Sequence, residues 1–184
     1  MFEQGLAGLH AGIIFWCLSS TPVAAQPLGL GTSASADFVA QWDIAIGPRG
    51  EELPPGQGSA AEGQRLYVQR CAMCHGITGR EGPDPVLVGG QGSLTTQRPL
   101  LTIGSFWRYA TTLYDYIYRA MPFNAPGSLE PDEVYALAAY LLNANGVIDR
   151  TTVLDRETLP AIVMPNRDQF YPDPRPDVGA QPGS

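Results

Sequence analysis

Five consecutive residues, Cys71-Ala-Met-Cys74-His75, constrain this 184-residue chain more than any other feature. The two thiols are three positions apart, and a histidine follows the second one directly, which is the spacing of covalent haem attachment. At such a site the thiols form thioethers with the two vinyl groups of the porphyrin, and the adjacent imidazole binds the iron. The motif therefore predicts one haem c, bound by Cys71, Cys74 and His75.

Other chemistries also use closely spaced cysteines. A structural zinc site needs four nitrogen or sulfur ligands, and after residue 25 the chain contains no Cys or His beyond these three. A redox-active Cys-x-x-Cys usually lies in a βαβ context, whereas the pattern around this motif is helical. We therefore favour haem attachment over a zinc site, a redox pair or a structural disulfide.

Residues 1–25 are predicted to be a signal peptide. The apolar run over residues 6–20 is shorter than the roughly 20 residues of a membrane span, and it ends at the small residues Val23-Ala24-Ala25. Glu3, and the lack of a basic residue before the run, depart from the usual pattern. A wrong start codon and a retained anchor are therefore alternatives. We expect cleavage near Ala25, export to the periplasm and a mature protein without a membrane span.

Charge and composition exclude several functions. The chain has 18 acidic and 11 basic residues, all of the latter arginine, and its net charge is -7. Like charges repel, so this balance disfavours nucleic acids and anionic membranes as partners. The 21 Gly and 17 Pro argue against a long helical bundle and predict extensive irregular segments.

Helical periodicity predicts a small all-α unit over residues 59–147. The first helix begins at the capping box Ser59-x-x-Glu62 and leads to Cys71. A second helix is expected from about Thr111 to Ala120, capped by Thr112-x-x-Asp115, and a third over residues 128–145, with Pro131 early and Asn145-Gly146 as its left-handed stop. Residues 76–104 are expected to form a loop. An N-terminal arm over 26–58 and a Pro-rich tail over 148–184 flank the unit.

The second axial ligand of the iron is predicted by elimination. The mature chain has no second histidine, so a thioether is the natural ligand. Met73 lies inside the attachment loop and cannot reach the opposite face of the porphyrin. Met121, at a helix end before Pro122, is favoured, and Met164, also followed by a proline, is its main competitor.

The order of these features resembles the class I cytochrome c fold. In that family a first helix leads into the attachment motif, a Gly/Pro loop follows, and Met-Pro precedes the last helix. Gly63 and Tyr67 match the first helix of the family, and Leu137 and Tyr140 match the last. The resemblance implies that these two helices cross closely. It also implies that a carbonyl near Gly82-Pro83 or Pro85 accepts the His75 Nδ1 proton.

A narrower resemblance spans nearly the whole mature chain. The segments Trp42-Asp43-Ile44, Arg119-Ala-Met121-Pro122-Phe123-Asn124 and Val163-Met164-Pro165-Asn166-Arg167-Asp168 are similar to the cytochrome subunits of periplasmic molybdenum sulfite and sulfane dehydrogenases, including the Sox type. It implies a non-catalytic subunit that accepts electrons from a molybdopterin oxidoreductase and passes them to a downstream acceptor. An independent shuttle to an oxidase or peroxidase, and a haem enzyme with an open axial site, are the alternatives.

The two arms contain aromatic residues that a disordered linker would lack, among them Trp42, Phe170 and Tyr171. One interpretation is that the arms bind the partner protein, with Arg167 and Arg175 pairing carboxylates at the rim of the interface. The other is that they wrap the core of this protein itself.

Overall fold

The computed structural model describes residues 30–173 and 175. The chain divides into two units, residues 1–35 and 36–184. The signal peptide predicted over residues 1–25 lies outside the described residues. Every described helix and strand belongs to the second unit: α1 (Ala36–Trp42), β1 (Gln57–Ser59), α2 (Ala60–Arg70), α3 (Ala72–His75), a 3-10 turn (Ser93–Thr95), α4 (Ala110–Ala120), α5 (Pro131–Ala144) and β2 (Val153–Asp155).

The predicted start of α2 is confirmed. The Glu62 amide donates to the Ser59 hydroxyl at 3.4 Å, and the Ser59 amide donates to the Glu62 carboxylate at 2.9 Å. These two bonds satisfy amides of the first turn that have no partner within the helix. Pro131 occupies the first turn of α5, where its missing N–H costs little.

The predicted cap of α4 is wrong. The helix begins after Tyr109 without a side-chain cap, and Asp115 lies inside the helix rather than at its start. Asp115 is buried, and its carboxylate accepts the Ile46 amide at 2.8 Å and the Arg119 Nε at 2.8 Å. The acidic residue therefore ties α4 to the segment before β1 instead of capping the helix.

Helices α2 and α5 cross at the close contact that the sequence predicts. Gly63 is buried there, and a Cβ atom at this position would overlap the backbone carbonyl of Ala136. The rings of Tyr67 and Tyr140 are 5.0 Å apart across the crossing. The absence of a side chain at Gly63 lets the backbones approach, which is the close crossing that the resemblance to class I cytochromes c implies.

The core is built around α5, whose buried residues contact α2, α4 and both strands. The rings of Tyr114 and Tyr135 lie 4.5 Å apart within it. Both chain segments outside the helices add to this core, since Ile46 and Leu53 precede α2 and Leu154, Leu159 and Met164 follow α5 (all buried).

Two short strands hold these flanking segments together. Strands β1 and β2 pair antiparallel, with Gly58 opposite Leu154. Gly58 packs so closely on Ala136 of α5 that a Cβ at that position would overlap the Ala136 amide nitrogen. Two flanking segments therefore wrap the protein's own core. One runs from Ile46 to β1, and the other from β2 to about Asn166. In α1, by contrast, no residue is buried, and Trp42 is 72% exposed.

No helix within residues 30–173 is both long and apolar enough to cross a membrane.

Candidate haem-binding site

The attachment motif forms one short turn of helix directly after α2. Cys71 ends α2 and precedes α3, and the His75 amide donates to the Cys71 carbonyl at 3.0 Å. Residues three and four positions apart share one face of a helix, so the spacing places Cys71, Cys74 and His75 on the same side of this turn. Met73 is 83% exposed. The turn thus has the geometry that two thioethers and one axial imidazole require.

The His75 ring is oriented by a carbonyl from the following loop. Its Nδ1 lies 2.9 Å from the carbonyl oxygen of Pro85. Because a carbonyl only accepts hydrogen bonds, Nδ1 is the donor here, which leaves Nε2 as the ring nitrogen that a metal could bind. Of the acceptors that the sequence left open, the structure has Pro85 in this role.

The loop reaches His75 because it passes very close to α3. The Asp84 amide donates to the Cys74 carbonyl at 3.0 Å. A Cβ at Gly82 would overlap that same carbonyl oxygen, so only glycine fits this position. The loop therefore depends on Gly82 to bring Pro85 against the imidazole.

The two motif cysteines do not form a disulfide with each other. Burial, and the nearby Cys74, raise the pKa of the Cys71 thiol to about 11. A hydrogen bond with Asp84 raises the pKa of Cys74. Across residues 30–173 no cluster of three or more His, Cys, Asp or Glu side chains could hold a metal ion.

The methionines differ sharply in their surroundings. Met164 is 1% exposed and belongs to the hydrophobic core. Met121 ends α4 in an extended conformation, with its amide donating to the Ile117 carbonyl at 3.1 Å, and its side chain is only partly buried. Of these two side chains, that of Met121 is the less deeply buried.

Several apolar side chains at the edge of the core are also only partly buried. They come from both chain regions that the sequence assigns to the haem: Cys71 and Leu87 on the motif side, and Trp107, Tyr118 and Met121 on the α4 side. A porphyrin that packs against these partly exposed apolar side chains would remove the rest of their surface from water, which is favourable. The donor set and this incomplete core edge fit a haem.

Asn145 has a structural role that the sequence did not predict, because its side chain holds the loop that follows the attachment motif. Its side-chain carbonyl accepts the Gly89 amide at 2.9 Å, and its Nδ2 donates to the Leu87 carbonyl at 3.2 Å. Gln91 donates to its backbone carbonyl at 2.7 Å. Asn145 thus pins the loop after the motif to the end of α5. The left-handed residue of the predicted helix stop is Gly146, with φ +69°.

Comparison with known proteins agrees with this geometry. Residues 58–141 match the family model described as cytochrome C oxidase, cbb3-type, subunit III. A chain in the crystal structure of the sulfane dehydrogenase SoxCD from Paracoccus pantotrophus is 46% identical, with a TM-score of 0.74, and the match covers 81% of this chain and 74% of that one. No curated protein matches the sequence.

Proposed function

This chain belongs to the cytochrome c family, and from that premise we propose that it is a monohaem electron carrier serving a molybdopterin sulfite or sulfane dehydrogenase. In this role it accepts single electrons from the dehydrogenase and passes them to the respiratory chain. Its electron-transfer function follows from the family, and the choice of donor is supported by the 46% identity to a chain of SoxCD.

The hydrogen bond from His75 to Pro85 is the observation that carries the proposal. It holds the imidazole in the tautomer that a metal ligand needs, and it makes Nε2 a stronger donor. We assign Cys71 and Cys74 to the two thioethers, and His75 and Met121 to the axial positions. The buried position of Met164 supports this choice of methionine.

The haem iron, when bound, supplies a reversible one-electron change between Fe(III) and Fe(II). His75 and Met121 are both neutral ligands, and a thioether favours Fe(II) more than a second imidazole does, so the reduction potential should be comparatively high. If His75 and Met121 both held the iron, no position on the metal would be left for a substrate. The residues of the site therefore bind, orient and shield, and none is assigned a catalytic role.

One attachment motif means that this chain stores one electron at a time. Oxidation of sulfite or of a sulfane sulfur releases two, so the dehydrogenase must deliver them in two successive transfers. We place the protein in the periplasm, where thiols can be attached to haem after export and where the predicted leader would direct it.

The family match favours a second candidate, an independent shuttle to an oxidase, since the matching model is that of a cbb3-type oxidase subunit. That match ends at residue 141, whereas the likeness to SoxCD covers 81% of the chain and so extends into the flanking segments. The longer match is the reason why we prefer the dehydrogenase.

Two measurements on the purified protein test the proposal. Acid–acetone extraction followed by a pyridine haemochrome assay should leave one haem on each polypeptide, and a colourless polypeptide would overturn the attachment. In stopped-flow mixing, the molybdopterin dehydrogenase of the same organism plus sulfite should reduce the haem. Reduction only by a membrane quinol complex, with none by the dehydrogenase, would favour the independent shuttle.

A further inference from the structure

We propose that a cluster of arginine and aromatic side chains before α4 docks onto an acidic surface of the electron-donating dehydrogenase. We call Phe106, Arg108, Tyr109, Arg167 and Phe170 the Arg–aromatic cluster. The proposal rests on the proposed function and adds to it the face, and the charge, by which the partner is recognised.

The cluster joins two distant parts of the chain through ring contacts. The guanidinium of Arg167 lies 4.5 Å from the centre of the Tyr109 ring, and that of Arg108 lies 5.2 Å from the same ring. Arg108 is also 5.6 Å from the Phe170 ring, which packs edge-on against Phe106 at 5.6 Å. Two positive charges therefore converge on one aromatic surface.

Among the residues that the structure describes, no carboxylate forms an ion pair with either of these two positive charges. Neither Arg108 nor Arg167 forms an ion pair within the described part of the chain, and Asp168, next to Arg167, pairs with neither. Arg175, by contrast, already pairs with Asp173 at 2.7 Å. Two adjacent cations without a counter-charge repel each other, and a carboxylate on a partner would relieve that repulsion.

The positive end of the α4 dipole lies beside them, since Tyr109 is the residue before α4 and no side chain caps the helix. The cluster is thus a local cationic site on a chain whose net charge is -7. A small acidic patch on a protein can contact this face alone. An extended anionic membrane would also face the negative remainder of the chain and repel it.

The cluster is held in place before any partner binds. Met164 anchors the tail in the core, with 1% of its surface exposed. The Asn166 Nδ2 donates to the Phe106 carbonyl at 2.8 Å, and the Arg108 Nε donates to the Arg167 carbonyl at 3.2 Å. Little side-chain freedom then remains to be lost on association, which favours binding.

The exposed part of the cluster has the composition of a binding hot spot. Phe106 is 41% exposed, Phe170 is 39% exposed, and the neighbouring Tyr171 is 85% exposed. Arginine and large aromatic residues dominate the binding energy of protein interfaces, because they combine apolar area with a directed polar group. A docked dehydrogenase would cover this exposed apolar area.

The test uses the holo-cytochrome and the molybdopterin dehydrogenase of the same organism. The double variant Arg108→Gln, Arg167→Gln is compared with Arg65→Gln, Arg150→Gln, which removes the same charge elsewhere. Arg65 lines a groove of about 660 Å³ beside α2 and α5, and Arg150 donates to Gln64 of α2. Dissociation constants come from calorimetry at low and high ionic strength, and the reduction potential comes from a spectroelectrochemical titration.

We expect the cluster variant to bind roughly tenfold or more weakly, with a smaller salt dependence and an unchanged reduction potential. The control variant should bind within about twofold of the wild type, since peripheral charges contribute little. A chain ending at Asp168, which removes Phe170 and Tyr171 but none of the core residues that the structure describes, should also bind more weakly. It supplies a second measurement if the double variant folds poorly.

Equal affinity of the cluster variant, the truncated chain and the wild type would overturn the docking proposal and leave the proposed function standing. A shift of the reduction potential without loss of affinity would also overturn it, because the arginines would then bind the haem propionates. If the wild type itself does not bind the dehydrogenase, the proposed function fails, and the docking proposal fails with it.

Discussion

The imidazole Nδ1 of His75 lies 2.9 Å from the carbonyl oxygen of Pro85, and the loop that brings the two together passes over α3 at a glycine. The bond is made by a backbone carbonyl, so no substitution of the Pro85 side chain removes it cleanly. The tight passage at Gly82 offers a better way to disturb it.

Substitution Gly82→Ala should weaken the bond from His75 to Pro85. The new Cβ would overlap the Cys74 carbonyl, so the loop must move away from α3. We expect a loss of roughly 2–4 kcal/mol in the free energy of unfolding and a higher reduction potential, since a less basic imidazole stabilises Fe(III) less well. Denaturant unfolding and redox titration measure the two effects.

Gly47→Ala is the matched control for this substitution. A Cβ at Gly47 would meet only the Glu52 carboxylate, at an ordinary contact distance of 3.5 Å. If the variant at Gly82 kept the wild-type stability and potential, the close passage of the loop would have no role in holding the imidazole.

The two candidate methionines should respond in opposite ways to truncation. Met121→Ala should abolish the far-red absorption band of a methionine–Fe(III) bond, lower the reduction potential and let CO bind the reduced iron. Met164→Ala should keep the band and instead cost roughly 2–5 kcal/mol of stability, because it empties a buried position. Absorption spectra and denaturant titrations separate the two results, and loss of the band only in the Met164 variant would reverse the assignment.

Gly63→Ala should destabilise the fold strongly, since a Cβ there overlaps the Ala136 carbonyl and approaches the Tyr140 Cβ at 2.8 Å. We expect a loss of roughly 3 kcal/mol or more, because backbone atoms must separate to make room. Ala61→Ser, at an exposed position of the same helix, should change the stability by less than about 1 kcal/mol. Similar unfolding midpoints for the two variants would contradict a close crossing.

Asp115→Asn should reduce the acid sensitivity of the protein. Burial opposes the ionisation of Asp115, but hydrogen bonds from Arg119 and from the Ile46 amide outweigh it and hold the pKa of Asp115 below its ordinary value. A lowered pKa in the folded state adds stability that is fully present above the unfolded-state pKa of about 4, and that is lost as the pH falls further. The difference in unfolding free energy between wild type and variant, measured at pH 7 and at about pH 3, should therefore shrink in acid.

Asp115→Ala extends the same comparison. It removes the acceptor of both the Ile46 amide and Arg119, and it should cost roughly 1–3 kcal/mol near neutral pH. Identical pH profiles for wild type and both variants would show that this ion pair does not stabilise the fold.

Local signals made α2 and α5 predictable. Ser59 and Glu62 are three positions apart and bond each other, Pro131 sits where helices accept it, and Gly146 supplies the positive φ that ends α5. The attachment motif was equally local, since five adjacent residues define it. Sequence patterns that span one or two helical turns were therefore enough to predict α2, α5 and the attachment motif.

Other features depend on contacts that no local pattern encodes. Asp115 bonds an amide 69 residues earlier in the chain, and Asn145 bonds a loop 56 residues earlier. Strands β1 and β2 have three residues each and pair across the whole helical unit, so neither shows an alternating pattern of its own. The Thr-x-x-Asp sequence within α4 resembles a cap, but Asp115 is buried and its carboxylate pairs with Arg119 instead.

Leu154, Leu159 and Met164 complete an interior that begins at Ile46. During synthesis, the nascent polypeptide therefore cannot close its hydrophobic centre until these late residues have emerged.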